Sequence, residues 1–114
     1  MSAPFAIQDL LAGGWRWLPF QPFRDGIEIY RLRADDPVVA LLRYAPGARV
    51  PRHRHRGLET VLVLAGSQRD ERGTYGAGTL VVNPAGSTHA VASDEGCVVL
   101  IQWERAVQFV ADEN

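Results

Sequence analysis

The stretch GARVPRHRHRGLE, residues 47–59, carries two of the three histidines in the chain, and its reading governs the rest. Side chains alternate between the two faces of an extended strand, so His53 and His55 leave one face and Arg52, Arg54 and Arg56 the other. Glu59 shares the histidines' parity. A straight strand, however, would carry it about 20 Å from His53 at roughly 3.3 Å per residue. Metal–ligand bonds near ~2 Å cannot span that gap. If the three are to meet, the chain bends between His55 and Glu59, and Gly57 is expected to provide the bend at little steric cost.

The third histidine, His89, lies thirty residues beyond Glu59 and has to return on another strand. Turn residues at 69–73 and 76–78 supply the reversal. With His89 brought back, no histidine is left over. Three imidazoles and one carboxylate form an economical ligand set for one divalent ion, and His53, His55, Glu59 and His89 are the expected metal ligands. Imidazole suits zinc, copper, iron and nickel, and a carboxylate suits harder cations. The plain alternative is a pair of histidines decorating an exposed strand.

Outward from this stretch the chain reads as short β-rich runs broken by Gly, Pro and Asp. Strands are expected at 15–20, 27–33, 38–44, 49–55, 58–65, 79–82, 89–92 and 97–104, with 106–110 a last one. A short helix is expected at 5–11, stopped by Gly13 and Gly14. Eight or nine short strands at this spacing predict an all-β fold, a small sandwich or barrel. Four ligands converging from separate strands would sit in the mouth of that barrel.

The composition narrows the classes. The chain has 114 residues, enough for one domain, expected to span 1–114, and 46% of them are hydrophobic. A net charge of −1 gives no electrostatic reason to expect nucleic acid or an anionic membrane as partner. The single cysteine, Cys97, excludes an internal disulfide framework and fits a reducing compartment. No secretory signal and no membrane-length apolar run is visible. A cytoplasmic protein is expected.

Laid out with their spacers, these residues resemble the two sequence motifs of the cupin superfamily. Gly47, His53, His55, Glu59 and Gly66 meet the first pattern, G-x5-H-x-H-x3-E-x6-G, within 47–66. Gly78, Pro84, Gly86 and His89 meet the second, G-x5-P-x-G-x2-H-x3-N, within 78–93, where Ser93 replaces the final asparagine. That position is not a ligand in the family. Residues 43–97 are more closely similar to the ChrR-type cupins, related to the C-terminal domain of an anti-sigma factor. The stretches that carry this are PGARVPRHRHRGLE, VLAGSQRDERGTYGAG, NPAGSTH and the closing Ser93 to Cys97.

The resemblance implies a jelly-roll (double-stranded β-helix, RmlC-like) barrel, one bound divalent metal and a homodimer. Zn2+ or Fe2+ is expected first, with Mn2+ and Ni2+ open. It also implies action on a small organic molecule, with Fe(II)-type dioxygenase chemistry leading, or alternatively a zinc-bound sensor without turnover. The anti-sigma relatives grip their sigma factor with a separate N-terminal helical domain. About fourteen residues precede the first expected strand here, without histidine or cysteine, so sigma-factor binding of that kind is not expected.

The remaining residues have blander readings. Val61 and Val63 share the parity of Glu59 and are expected to face the interior, as core or as lining of a substrate pocket. On strand 97–104 either Cys97, Val99, Ile101 and Trp103 or Val98, Leu100 and Gln102 face inward. The second choice would put Gln102 in the pocket. Cys97 reads as a packed apolar residue before a redox-sensing thiol. Arg52, Arg54 and Arg56 read as a solvated outer face. The tryptophans Trp15, Trp17 and Trp103 read as cover for one barrel end or for a dimer interface.

Overall fold

Alternating burial along the strands wraps an antiparallel sheet around one apolar interior. The computed structural model describes residues 3–110. Its strands are β1 (Gln21–Arg24), β2 (Ile27–Arg33), β3 (Val38–Tyr44), β4 (Arg49–Arg54), β5 (Glu59–Asp70), β6 (Gly73–Gly76), β7 (Leu80–Asn83), β8 (Thr88–Ala92), β9 (Cys97–Trp103) and β10 (Gln108–Phe109). They pair in the order β1-β2-β3-β9-β5-β8-β4-β10, with β6 and β7 both on β5. The fold is all-β, a curled antiparallel sheet of the jelly-roll type, and a single 3-10 turn at Leu10–Ala12 is the only helical piece among the described residues.

The strand that turns a sheet into a barrel is β5. Its first residues pair with β7 and β9, and its last ones with β6 and β8. The register slips between Val63 and Ala65, so the strand bends there and passes from one half of the barrel to the other. Directly after Ala65, Gly66 has φ of 72°, and a Cβ on it would fall on the Gly96 carbonyl oxygen. Only glycine fits at that corner.

Inside, Ile27, Ile29, Ala40, Leu42, Val61, Val63, Val99 and Ile101 form the main core. Alternation resolves the orientation of β9: Cys97, Val99, Ile101 and Trp103 pack into this interior, while Val98 and Leu100 face the other way. Leu41, Leu64 and Val98 would leave an apolar patch on the outside. Leu10, Trp15, Leu18 and Phe20 of the N-terminal segment cover it.

That cover accounts for two departures from the expected elements. Residues 15–20 are not a strand but a chain of turns closed by Arg16 N–H to Gly13 O and Leu18 N–H to Trp15 O. Pro19 lacks the N–H that a ladder needs, and the apolar side chains gain more by lying on the patch. The helix expected at 5–11 is reduced to the 3-10 turn, stopped at Gly13 with φ of 91°. Strands β1 and β6 lie where no strand was expected. Each is four residues long, and β6 forms a hairpin with the end of β5.

Candidate metal centre

Two adjacent strand ends carry the three histidines to one point. His53 on β4 stands directly opposite His89 on β8. His55 follows the last residue of β4. Its N–H donates to Ser87 O at 2.9 Å, and its carbonyl accepts from Gly86 N–H at 2.7 Å. The Pro84–Gly86 turn therefore holds His55 beside His89. The ring centroids lie 5.1 Å (His53–His55), 4.7 Å (His53–His89) and 4.8 Å (His55–His89) apart, all edge-on. One nitrogen from each ring falls within 4.8 Å of the other two.

Glu59 opens β5. It stands outside that three-way cluster, but its Oε1 lies 3.2 Å from His55 Nε2. The bend that brings it there runs through Gly57, for a reason other than the expected one. Gly57 has no positive φ; a Cβ on it would come 2.7 Å from Glu104 Cβ. The glycine is needed for room, not for its dihedral angle.

The second nitrogen of every ring is already engaged. His53 Nδ1–H donates to Pro51 O at 2.9 Å, and His55 Nδ1–H to Ser87 O and Oγ at 3.1 and 3.0 Å. His89 Nδ1–H donates to Asp70 Oδ2 at 2.9 Å. With the proton on Nδ1, each neutral ring presents its Nε2 lone pair to the common point. Nε2 of His55 and of His89 are buried and have no hydrogen-bond partner. Although Glu59 Oε1 is near His55 Nε2, the pair lacks hydrogen-bond geometry. Two orphaned lone pairs in a dry interior are costly unless something binds them. An oriented imidazole backed by a carbonyl or carboxylate is the usual support of a metal ligand. The donor set fits one divalent ion.

The electrostatics agree. Burial holds the His53 imidazolium below its ordinary pKa, outweighing the Pro51 carbonyl bond, so the ring stays neutral and able to ligate. Burial alone would push the Asp70 carboxyl up. Hydrogen bonds from His89, from Arg72 N–H and from the Tyr75 hydroxyl more than offset that and hold it low. Asp70 therefore stays anionic behind His89. Asn83 Nδ2–H donates to Glu59 Oε1 at 3.1 Å and fixes the orientation of that side chain.

Asp70, Asn83 and Ser87 were not among the residues singled out by sequence. Asp70 reads as part of a turn, and only the β5–β6 hairpin returns it to His89.

Beside the histidines opens a cavity of about 270 Å³, walled largely by apolar side chains. Val61, Ile101, Val91 and Leu42 form its walls, and Trp103 and Phe109 lie towards the histidines. Of the expected pocket residues, Val61 lines the cavity, whereas Val63 is wholly buried in the core and does not reach it. Gln102 needs a correction. Strand β9 turns Val99 and Ile101 inward, so Gln102 is exposed on the outer surface, in a separate polar cleft with Asp36 and Arg105.

Cys97 is buried, and burial pushes its thiol up to about 11, which keeps it protonated and unreactive. Ser93 has no exposed surface. Its hydroxyl donates to Ser67 O at 2.6 Å, and its carbonyl accepts from Gly47 N–H, so it ties the two motifs together without facing the histidines. Arg52 and Arg56 point outward, Arg52 onto Glu71 and Arg56 onto the Ala106 carbonyl. Of the tryptophans only Trp103 reaches the cavity, and Trp17 is 89% exposed.

Known proteins share this architecture. The family model described as "ChrR Cupin-like domain" matches residues 13–106. The anti-sigma-E factor ChrR of Cereibacter sphaeroides is 29% identical over 110 residues, 94% of this chain and 52% of that protein. The chain thus spans about half the length of this curated relative. The crystal structure of Rhodobacter sphaeroides SigE in complex with the anti-sigma ChrR superposes with a TM-score of 0.70 at 28% identity, covering 77% of this chain and 49% of that one. An acetylacetone dioxygenase from Acinetobacter johnsonii superposes at 0.75 with 17% identity, covering 82% and 72%, which speaks to fold alone. No helix among the described residues is long and apolar enough to cross a membrane.

Proposed function

The chain belongs to the ChrR cupin-like family, and from that membership we propose that it holds one divalent metal ion at His53, His55, Glu59 and His89 and acts there on a small organic molecule. The observation that carries this reading is the pair of buried, unpartnered Nε2 atoms on His55 and His89, each ring oriented from behind through Nδ1. The leading chemistry is that of a ferrous dioxygenase, in keeping with three imidazoles and one carboxylate as the donor set. When bound, such an ion supplies Lewis-acid and oxygen-activating chemistry.

The protein's own part is to bind, orient and exclude water. His53, His55, Glu59 and His89 would hold the ion and would leave room on it for a further ligand. Val61, Leu42, Val91 and Ile101 keep the adjoining space apolar. Every histidine is committed to the cluster, so none is free for general acid–base work.

A second reading is a zinc-bound sensor without turnover, supported by the 29% identity to an anti-sigma factor. Metal analysis of protein purified without added metal, together with O2 uptake on 1,3-diketone or catechol-like compounds, separates the two. Stoichiometric iron with substrate-dependent oxygen uptake supports the dioxygenase. Tight stoichiometric zinc with no uptake sinks it in favour of the sensor. We take the active form to be a cytoplasmic homodimer; exposed Leu80 and Val82 on β7 and Trp17 outside the barrel support self-association. Sedimentation tests it.

A further inference from the structure

The sheet that wraps the cavity does not close on itself by hydrogen bonds. Strands β1 and β10 are the two ends of the strand order, and among the described residues β1 pairs only with β2 and β10 only with β4. A seam is left between them. The residues lining the cavity are buried or half-buried except Phe23, Ala106 and Phe109, which are exposed. Phe23 lies on β1, and the other two lie on β10 and the segment leading into it. The cavity therefore meets solvent at the seam.

One ring spans that seam. Phe109 stands opposite His53 in the β4–β10 pairing, and its ring meets the His53 imidazole edge-on with 6.0 Å between centroids. The Arg24 guanidinium of β1 rests on the same ring, 4.7 Å from the centroid. None of the ion pairs among the described residues involves Arg24. A cation–π contact thus joins β1 to β10 where a ladder would otherwise run, and at a partly exposed site such a contact is weak. Strand β10 is itself two residues long, fastened to β4 next to the bond from Val110 N–H to Arg52 O at 3.0 Å. Short edge segments with little buried apolar surface open locally while the core stays folded.

We propose that the seam between β1 and β10 is the entrance to the histidine cluster and that Phe109, latched by Arg24, is its gate. The proposal rests on the metal-site reading for what the entrance serves, but the seam and its ring are built from other residues. With the ring in place, His53, His55 and His89 are 4%, 1% and 3% exposed, which is the closed state. A ligand reaches them when the ring swings off His53 and the guanidinium lets go. The rim is apolar at Phe23, Ala106 and Phe109, and the space behind it is about 270 Å³. That lies below the usual range for drug-sized ligands, so the gate admits small, largely apolar molecules.

The test is the rate at which diethyl pyrocarbonate modifies the histidines of the purified full chain, with and without chelator. All three histidines belong to the cluster, so the reagent reads access to this cavity alone. In the presence of chelator, Phe109→Ala should raise the rate five-fold or more. Arg24→Met, which keeps the stem and removes the cation, should raise it at least two-fold, and Phe109→Trp should stay within two-fold of the native protein. Alkylation of Cys97, which is buried in the same barrel but does not line the cavity, should stay slow in every variant. Rates within two-fold of native in Phe109→Ala overturn the gate, and an unchanged rate in Arg24→Met overturns the latch. A rise at the histidines matched by an equal rise at Cys97 reports a loosened barrel and overturns both. Chelator that leaves the native rate unchanged would instead refute the metal reading, while the variants still decide the gate.

Discussion

Asp70 Oδ2 accepts the Nδ1–H of His89 at 2.9 Å, and both side chains are almost wholly buried. The carboxylate fixes which ring nitrogen carries the proton and leaves Nε2 free to bind. Asp70→Asn keeps the shape but loses the charge and lets the ring turn. Competition with a chromogenic chelator should show metal affinity falling by about 10–100-fold, the usual cost of losing such a support. Unchanged affinity would mean that Asp70 serves the β5–β6 hairpin alone.

Removing the metal itself should be visible as lost stability. An ion that binds only the folded state adds its binding free energy to folding. A chelator should therefore lower the melting temperature of the native protein. His89→Ala should melt at the same temperature with and without chelator. A native protein indifferent to chelator would refute the metal reading of these residues.

The encounter of the three histidines was legible because H-x-H parity and a hairpin return are local facts about the chain. Strands β2 and β3 match their expected limits, 27–33 and 38–44, since each is a β-rich run set between Gly, Asp and Pro breaks. What escaped depends on which strand faces which. Asp70 and Asn83 belong to the site only through the pairing of β5 with β6 and β7. Gln102 could not be assigned a face because Val98 and Leu100 are as apolar as Val99 and Ile101, one set facing the core and the other lying under the N-terminal segment. Residues 15–20 alternate like a strand, yet they serve as the cover of that outer face.

Alkaline pH should destabilise the fold through Cys97. Burial pushes its thiol from 9.0 up to about 11. A raised acid pKa means that the unfolded chain ionises first. The contribution is therefore complete below pH 9 and is lost as pH rises towards about 11. A shift of that size corresponds to about 3 kcal/mol. Tyr44, raised by burial and by the nearby Cys97 and Glu59, adds to the loss as pH rises past its ordinary value of 10.0. Urea melts of the native protein should lose stability over this window, and those of Cys97→Ala should lose measurably less. Equal slopes would show that the thiol is not shielded. Alkylation of native protein at neutral pH should likewise be slow, which argues against a redox-sensing thiol.

Two motif glycines with similar dihedral angles should respond very differently to alanine. Gly47 has φ of 83° and Gly66 of 72°, so either substitution forces a left-handed backbone on a side chain, at a cost of about 1–2 kcal/mol. Nothing lies within 4 Å of a Cβ at Gly47, so that strain is the whole effect. At Gly66 the added carbon meets the backbone of Gly96 and Cys97, which cannot give way without opening the β5–β9 ladder. Gly66→Ala should therefore cost about 3–5 kcal/mol, the left-handed strain and the cost of overpacking together. Because β5 carries Glu59 on one side of this corner and Asp70 on the other, Gly66→Ala should also weaken metal binding while Gly47→Ala leaves it intact. Parallel denaturant melts and chelator competition on the two variants check both halves. Equal destabilisation would show that the corner is softer than its backbone contact implies.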